Sequence, residues 1–256
     1  TESREQRSPS GMNARDPAPL APHARALRDY HEGDHHAVMI THSSLGECDE
    51  LPVAVFFREP DDFFPFERMA LELCRGRVLD AGAGTGVHTV ALQKRGMEVR
   101  AVELLPEAVE IMLERGVRNA RCADMFELEG ERYDTLLMLM NGIGPVGTLA
   151  ELDPFLAWAG RLLAPGGQIL VDSGEALISE PPPGAPEWEW PEPPADGYPG
   201  EAWIRLEYRG EVGAPFRELY VDAETLAAHV ERGGWRCEFA FTDEAGAYLA
   251  RLRPPA

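Results

Sequence analysis

The rhythm of apolar and polar positions changes several times along the chain. Residues 1 to about 22 carry Ser, Pro, Arg and Glu with almost no apolar spacing, and a disordered tail is expected there. From about His23 to Arg58 the pattern is irregular and ends on a hydrophobic patch, Val53-Ala54-Val55-Phe56-Phe57. Phe66, Met69, Ala70 and Leu73 then recur at helical spacing, with Asp61 or Asp62 expected as the cap and Gly76 as the stop. Beyond this point short apolar runs and helical stretches alternate. Val78 and Leu79 end a buried strand, and from Thr85 onward Val87, Val90 and Ala91 fall on one helix face. Val99 to Leu104 reads as a second strand, and Pro106 opens a helix that Gly116 closes. A short third strand around Arg121-Cys122-Ala123 delivers Asp124. Tyr133 to Met140 is nearly unbroken in its apolar character, as a strand covered on both faces would be. Thr148 to Leu163 forms the next helix, with Pro154 expected to kink it or to split off a short first turn. Pro165-Gly166-Gly167 turns the chain into a fifth strand, Gln168 to Asp172. This alternation predicts a parallel sheet with helices on both faces.

The pattern then changes. Residues 181 to 200 are rich in Pro and acid and hold Trp188, Trp190 and Tyr198, so a loop or insertion is expected. Ala202 to Tyr208 and Phe216 to Val221 alternate like the two strands of a hairpin. Asp222 caps a helix from Ala223 to Arg232, ended by Gly233 and Gly234. Trp235 to Phe241 and Ala247 to Leu252 close the chain as two antiparallel strands. The expected organisation is a tail over 1–22, an N-terminal lid or substrate segment over 23–76, and a core over 77–256 with an insertion at about 177–221.

Composition narrows the function classes. The 256 residues suit one domain with accessories, and 44 acids against 24 bases leave a formal charge of −20. Such a chain repels nucleic acid and anionic membrane unless a local basic patch exists, and no basic run appears. Lys94 is the single lysine; this bias with surplus acid suits a high-salt cytoplasm and follows equally from genome composition. Cys48, Cys74, Cys122 and Cys237 are scattered without a C-x-x-C pair, which argues against a metal-thiolate site or a disulfide framework. No apolar run approaches the roughly 20 residues of a membrane span. The expectation is a soluble protein of a reducing compartment, the cytoplasm.

The candidate chemistry sits in Val78-Leu79-Asp80-Ala81-Gly82-Ala83-Gly84-Thr85-Gly86. Glycines at alternate positions between a strand's carboxyl end and a helix's amino end let a ligand approach backbone N–H groups closely. A dinucleotide fingerprint wants G-x-G-x-x-G, but Val87 stands at its third position and the third glycine comes one residue early. Asp80, two residues before the first glycine, suits an amino group better than a phosphate. Glu103 ends the second apolar run and is placed to accept hydrogen bonds from both hydroxyls of a ribose. The ligand read from these residues is a nucleoside carrying an amino acid.

From about Arg75 to Ser173 the chain closely resembles the class I S-adenosylmethionine-dependent methyltransferases. The stretches that carry the resemblance are VLDAGAGTG, AVELLPEAVEIM, CADMFEL, YDTLLMLMNGIG and RLLAPGGQILVDS, in family order. The resemblance implies an α/β fold: a doubly wound, seven-stranded, mostly parallel Rossmann-like sheet of order 3-2-1-4-5-7-6, with an N-terminal lid segment and a hairpin insertion after strand 5. It implies S-adenosyl-L-methionine as cofactor, with Gly82, Ala83, Gly84 and Gly86 under its amino-acid end and ribose. Asp80 would meet its ammonium, or only order the loop. Asp124 would take the adenine amino group and the Met125 N–H a ring nitrogen, with Leu104 against the adenine face. Tyr30 would reach its carboxylate, and Arg58, following Phe56-Phe57, would either pair with the same carboxylate or make a surface salt bridge. His88 is expected to pack near the cofactor without catalysing.

Asn141 follows the fourth strand, where the resembled enzymes border the transferred methyl. Relatives acting on base amines carry an N-P-P-Y type motif there, whereas this chain has Asn141-Gly142-Ile143-Gly144, without prolines or a stacking aromatic. That departure counts against a nucleic-acid amine. Asn-Gly is also an ordinary turn pair. His31, Asp34, His35, His36 and His42 cluster in sequence: as a helix face they could hold a divalent metal, His35 or His36 could serve as general base, or they are incidental surface residues. Trp188 and Trp190 read either as a lid suited to a cationic acceptor or as a disordered insertion. The function expected is methyl transfer from S-adenosylmethionine to a small molecule, with no resident metal. The rivals are a protein or RNA methyltransferase and a sensor that binds the cofactor without turnover.

Overall fold

The computed structural model describes residues 15–192 and 197–255. Helix α1 (Ala21–His31) precedes strands β1 (Val38–Ser43) and β2 (Cys48–Pro52), then α2 (Pro65–Leu73). Strand and helix next alternate as β3 (Arg77–Ala81), α3 (Val87–Lys94), β4 (Glu98–Glu103), α4 (Pro106–Glu114), β5 (Ala120–Cys122), β6 (Tyr133–Met138), α5 (Leu152–Leu162) and β7 (Leu163–Ser173). Strands β8 (Glu201–Tyr208), β9 (Glu211–Val212) and β10 (Phe216–Leu219), helix α6 (Ala223–Arg232), and strands β11 (Arg236–Thr242) and β12 (Tyr248–Arg253) complete the chain.

The main sheet runs β11-β12-β7-β6-β3-β4-β5, which is the order 3-2-1-4-5-7-6 that the resemblance implies. β12 is antiparallel to both of its neighbours, and the pairs from β7 to β5 are parallel. The central strands are apolar on both faces because both are covered. Leu79 packs with Phe155 and Trp158 of α5 and Leu226 of α6, while its neighbour Val78 packs with Leu71 of α2 and Leu92 of α3. Adjacent residues of a strand point to opposite faces, so this single pair requires helices on both sides.

Helix ends show where local chemistry and the expected caps diverge. Asp222 caps α6 as expected, its carboxylate accepting the Thr225 N–H at 2.8 Å. Pro154 lies in the first turn of α5, behind a separate turn at Leu149–Glu151, where a missing N–H costs nothing. Asp61 and Asp62 do not cap α2: they lie in a turn at Pro60–Asp62, and Glu67 instead reaches back to accept the Phe64 N–H at 2.7 Å.

A second sheet, not expected in this form, has the order β10-β8-β1-β2, with β9 paired to β8. β8 and β10 pair antiparallel with Ile204 opposite Phe216, as the hairpin pattern anticipates. Strand β1 joins the other edge of β8 through Thr41 opposite Leu206 and His42 opposite Arg205. The segment read as irregular therefore supplies two strands and a helix. The expected tail also needs correcting at its end: Ala18–Leu20 forms a 3-10 turn leading into α1, while residues 1–14 lie outside the described residues. The inner face of the small sheet and α1 share a core with α4, through Leu27, Met39, Ile204, Leu105 and Ile111. The small sheet is thereby seated over the carboxyl ends of the main sheet's strands.

Candidate active site

Between the two sheets lies a cavity of about 780 Å³. Its floor is made by strand ends of the main sheet: Gly82 after β3, Glu103 at the end of β4 and Leu104 after it, Asp124 and Met125 after β5, and Met140 and Asn141 after β6. Its roof is the inner face of the small sheet, with Met39, Leu51, Ile204, Phe216 and Glu218. The crevice outside the carboxyl ends of a doubly wound sheet is where such folds bind ligands. A second depression of about 530 Å³ between Asp153, His229, Arg232 and Trp235 touches none of these strand ends.

The glycine loop is built by backbone bonds and by space. Gly82 and Ala83 both donate to the Val102 carbonyl, at 2.9 and 3.0 Å, which ties the loop across to β4. Gly82, Gly84 and Gly86 all have positive φ (76°, 55° and 80°), where a side chain is strained. A Cβ on Gly86 would lie 2.8 Å from Met112 Cγ, so this glycine admits α4 close to the loop. A Cβ on Gly82 would meet only Met125 Cε, at 3.5 Å, on the cavity wall. Glu103 binds the loop from the next strand: it accepts N–H bonds from Gly84 at 2.9 Å, Leu104 at 2.7 Å and Leu105 at 3.0 Å. Burial nevertheless raises its pKa.

Six of the residues expected at the cofactor line the cavity: Gly82, Glu103, Leu104, Asp124, Met125 and Asn141. Asp124 accepts the Phe126 N–H at 3.0 Å and the Arg15 N–H at 2.8 Å. Ala83, Gly84 and Gly86 shape the loop from behind. Asp80 is 2% exposed and off the wall, its Oδ2 accepting the Thr89 hydroxyl at 2.6 Å; burial raises its pKa. That bond ties the end of β3 to the first turn of α3 across the glycine loop. Tyr30 is displaced from its expected place: it stacks on Phe57 with centroids 4.5 Å apart and meets His35 edge-on, away from the cavity.

The histidines do not converge. His31 bonds Glu114 at 2.6 Å, and His42 bonds Glu207 at 2.9 Å on the outer face of the small sheet. His35 and His36 are exposed in the turn after α1, apart from the cavity, so the catalytic role expected for either has no support in their placement. The helix that would have aligned His31 with His35 stops at His31, because Gly33 turns the chain at φ 117°. Among the described residues no group of three or more His, Cys, Asp or Glu is placed to hold a metal. Trp188 and Trp190 are likewise not a lid. Arg205 lies over both rings, at 5.1 and 5.6 Å, and Trp188 meets His42 edge-on. His42 and Arg205 alternate with the cavity-facing Thr41 and Leu206, so the tryptophans cover the sheet's opposite face.

The fourth strand ends in unusual backbone. Met140 and Asn141 have φ of 68° and 54°, two consecutive side-chain-bearing residues in the left-handed region. Asp172 at the end of β7 holds this turn, accepting N–H bonds from Asn141 at 3.0 Å and Gly142 at 2.9 Å. Burial pushes its carboxyl up to about 6. The Asn141 amide oxygen accepts from Ser173 Oγ at 3.1 Å, and its NH₂ donates to Glu218 at 3.2 Å. Arg58 approaches from the other side, pairing with Glu67 at 2.6 Å and touching Met140 Sδ at 3.8 Å, while its Nε and Nη1 are buried without partners. His88 bonds the same Glu67 at 2.8 Å, as a packing residue would.

Arg15, His23, Met39, Phe216, Glu218 and Tyr220 also line the cavity, and none was singled out from the sequence. The alternation of Ala202 to Tyr208 located a strand, but nothing local tells which sheet face covers a cavity. Glu218 and Tyr220 carry no motif at all.

A strand–glycine-loop–helix with acids at the next two strand tips defines a nucleoside-binding doubly wound fold, and comparison with known proteins agrees. A methyltransferase-domain family model matches residues 78–167. A crystal structure of an S-adenosylmethionine-dependent methyltransferase from Bacteroides fragilis, in complex with S-adenosyl-L-homocysteine, superposes with a TM-score of 0.81. It is 34% identical and the match covers 94% of this chain and 98% of that one. An uncharacterised methyltransferase of Mycobacterium tuberculosis is 32% identical over 98 residues, a match that spans 36% of this chain and 37% of that relative. A magnesium-protoporphyrin O-methyltransferase of Rhodobacter capsulatus is 44% identical over 48 residues, 19% of this chain and 21% of the relative. The chain belongs to the S-adenosylmethionine-dependent methyltransferases.

Proposed function

We propose that this chain transfers the methyl group of S-adenosylmethionine to a small molecule enclosed between the two sheets. The observation that carries this reading is one continuous cavity running from the glycine loop and Glu103 to the apolar underside of β1, β8 and β10. An acceptor held there is shielded from water and lies beside Asn141, at the strand end that borders the floor.

The residues present fit the cofactor. Gly82 leaves room that a Cβ would fill and the Glu103 carboxylate lies at the β4 tip for ribose hydroxyls; Arg58, behind Met140 and over the Phe64 ring, keeps two buried nitrogens without hydrogen-bond partners. The cofactor supplies a methyl group on a positively charged sulfur, an electrophile already activated. What remains for the chain is to orient the acceptor atom, exclude water and receive a proton. The Asp172 carboxylate fixes the Met140–Asn141 turn, so the floor next to the acceptor is held by two buried hydrogen bonds.

Incubation with methyl-labelled S-adenosylmethionine and a fractionated metabolite extract tests the reading. Label in a low-mass fraction is the expected result. Label in protein or RNA alone would replace the small acceptor by a macromolecule, and tight S-adenosylhomocysteine binding with no transfer would favour a sensor.

A further inference from the structure

The roof of the cavity is mostly apolar, and its buried acid is Glu218 of β10. Glu218 lines the cavity and accepts from the Asn141 amide at 3.2 Å and the Tyr220 hydroxyl at 3.2 Å, both on Oε2, which leaves Oε1 for a further donor. Both partners are neutral. Among the described residues no cation lies within ion-pair distance of Glu218, although the other cations of the wall are engaged: Arg15 donates to the carbonyls of Pro145 and Val146, and Arg217 pairs with Glu201 at 3.3 Å. His23 also faces the cavity, but burial pushes its pKa down to about 4, so it is neutral at physiological pH. Glu47 and Asp49 add negative potential around Tyr220. Burial raises the Glu218 pKa, and a cation bound beside it offsets the cost of keeping the carboxylate charged away from water.

We propose that Glu218 is the acceptor-binding carboxylate, receiving a protonated amine carried on an otherwise apolar acceptor, so that the reaction is N-methylation. The proposal rests on the small-molecule reading above. Glu218 Oε1 first accepts a proton from the ammonium, leaving a neutral amine with a free lone pair. That lone pair forms the new nitrogen–carbon bond while the methyl–sulfur bond breaks and its electron pair returns to sulfur as a thioether. The product leaves as a methylammonium ion, and the Glu218 proton passes to solvent, so charge and atoms balance. Met39, Leu51, Ile204 and Phe216 would hold the apolar body of the acceptor.

The test is calorimetry on the protein saturated with S-adenosylhomocysteine, using two matched probe pairs: tryptamine with tryptophol, and phenethylamine with phenethyl alcohol. The wild type is expected to bind at least one amine about tenfold or more tightly than its alcohol, a preference worth roughly 1.4 kcal/mol. Glu218→Gln is expected to erase the preference, and Glu218→Asp to keep part of it, while both retain the wild-type affinity for S-adenosylhomocysteine. Equal affinity for amine and alcohol, a preference that survives in Glu218→Gln, or failure of every probe to bind the loaded protein would each overturn the assignment of Glu218 alone. Failure of S-adenosylhomocysteine itself to bind would remove the methyl-transfer reading and this proposal with it.

Discussion

Two glycines of the same loop make opposite predictions. Gly82→Ala and Gly86→Ala both place a side chain at positive φ, 76° and 80°, which costs about 1–2 kcal/mol in the folded state. Gly86→Ala also drives its Cβ to 2.8 Å from Met112 Cγ and 3.0 Å from Val117 Cγ2 in a packed cluster, adding about 1–3 kcal/mol of overpacking. Its total is roughly 2–5 kcal/mol, a large share of a domain's stability. Gly82→Ala meets nothing closer than 3.5 Å, so its stability loss stays near the backbone cost of about 1–2 kcal/mol. Its methyl instead occupies cofactor space, and a comparable overpacking of about 1–3 kcal/mol lowers affinity roughly tenfold to a hundredfold. Denaturant unfolding without ligand and calorimetry with S-adenosylhomocysteine separate the two effects. Gly86→Ala should lose mainly stability, and Gly82→Ala mainly affinity. Unchanged affinity in Gly82→Ala would refute the placement of the cofactor over this loop.

Glu103→Gln removes a charged acceptor at the β4 tip, and S-adenosylhomocysteine should bind about tenfold to a hundredfold more weakly by calorimetry; wild-type affinity would exclude a ribose contact there. The Asp172 carboxyl is raised from 3.8 to about 6 in the fold, so the native state holds its proton more tightly than the unfolded chain. The group's contribution to stability is therefore greatest at low pH and falls as the pH rises from 3.8 through about 6. Relative to Asp172→Asn, the wild type should lose roughly 3 kcal/mol between about pH 3 and about pH 7 in urea unfolding, and a flat difference would contradict the buried carboxylate. Trp188→Ala should destabilise by about 1 kcal/mol through lost contact with Arg205 while leaving cofactor affinity unchanged, because the ring lies on the outer face; a large loss of affinity by calorimetry would contradict that placement.

What was legible in the sequence follows physical range. The main sheet could be read because each strand and helix announces itself locally, from the unbroken apolar run at Tyr133 to the proline at Pro106. The cavity floor was legible for the same reason: Gly82, Glu103 and Asp124 each lie at or just beyond a strand end that periodicity locates. The roof was not. Strand β1 pairs locally with β2, but the β8 partner that makes it part of the roof comes from more than a hundred residues away. Glu218 becomes notable only because β10 lays it against Asn141. The histidines misled in the converse way: adjacent in sequence, they are separated by the turn at Gly33 and by strand alternation, which sends His42 to the outer face. Asp80 is engaged by Thr89, nine residues on in the first turn of α3, whose hydroxyl donates to its carboxylate.

A crystal structure of the protein with S-adenosylhomocysteine tests the central claim most directly. The ribose hydroxyls are predicted on Glu103, the adenine amino group near Asp124 and the homocysteine carboxylate near Arg58, with the sulfur facing Asn141. Density for the nucleoside anywhere else, or a bound nucleoside whose ribose hydroxyls do not meet Glu103, would contradict the account.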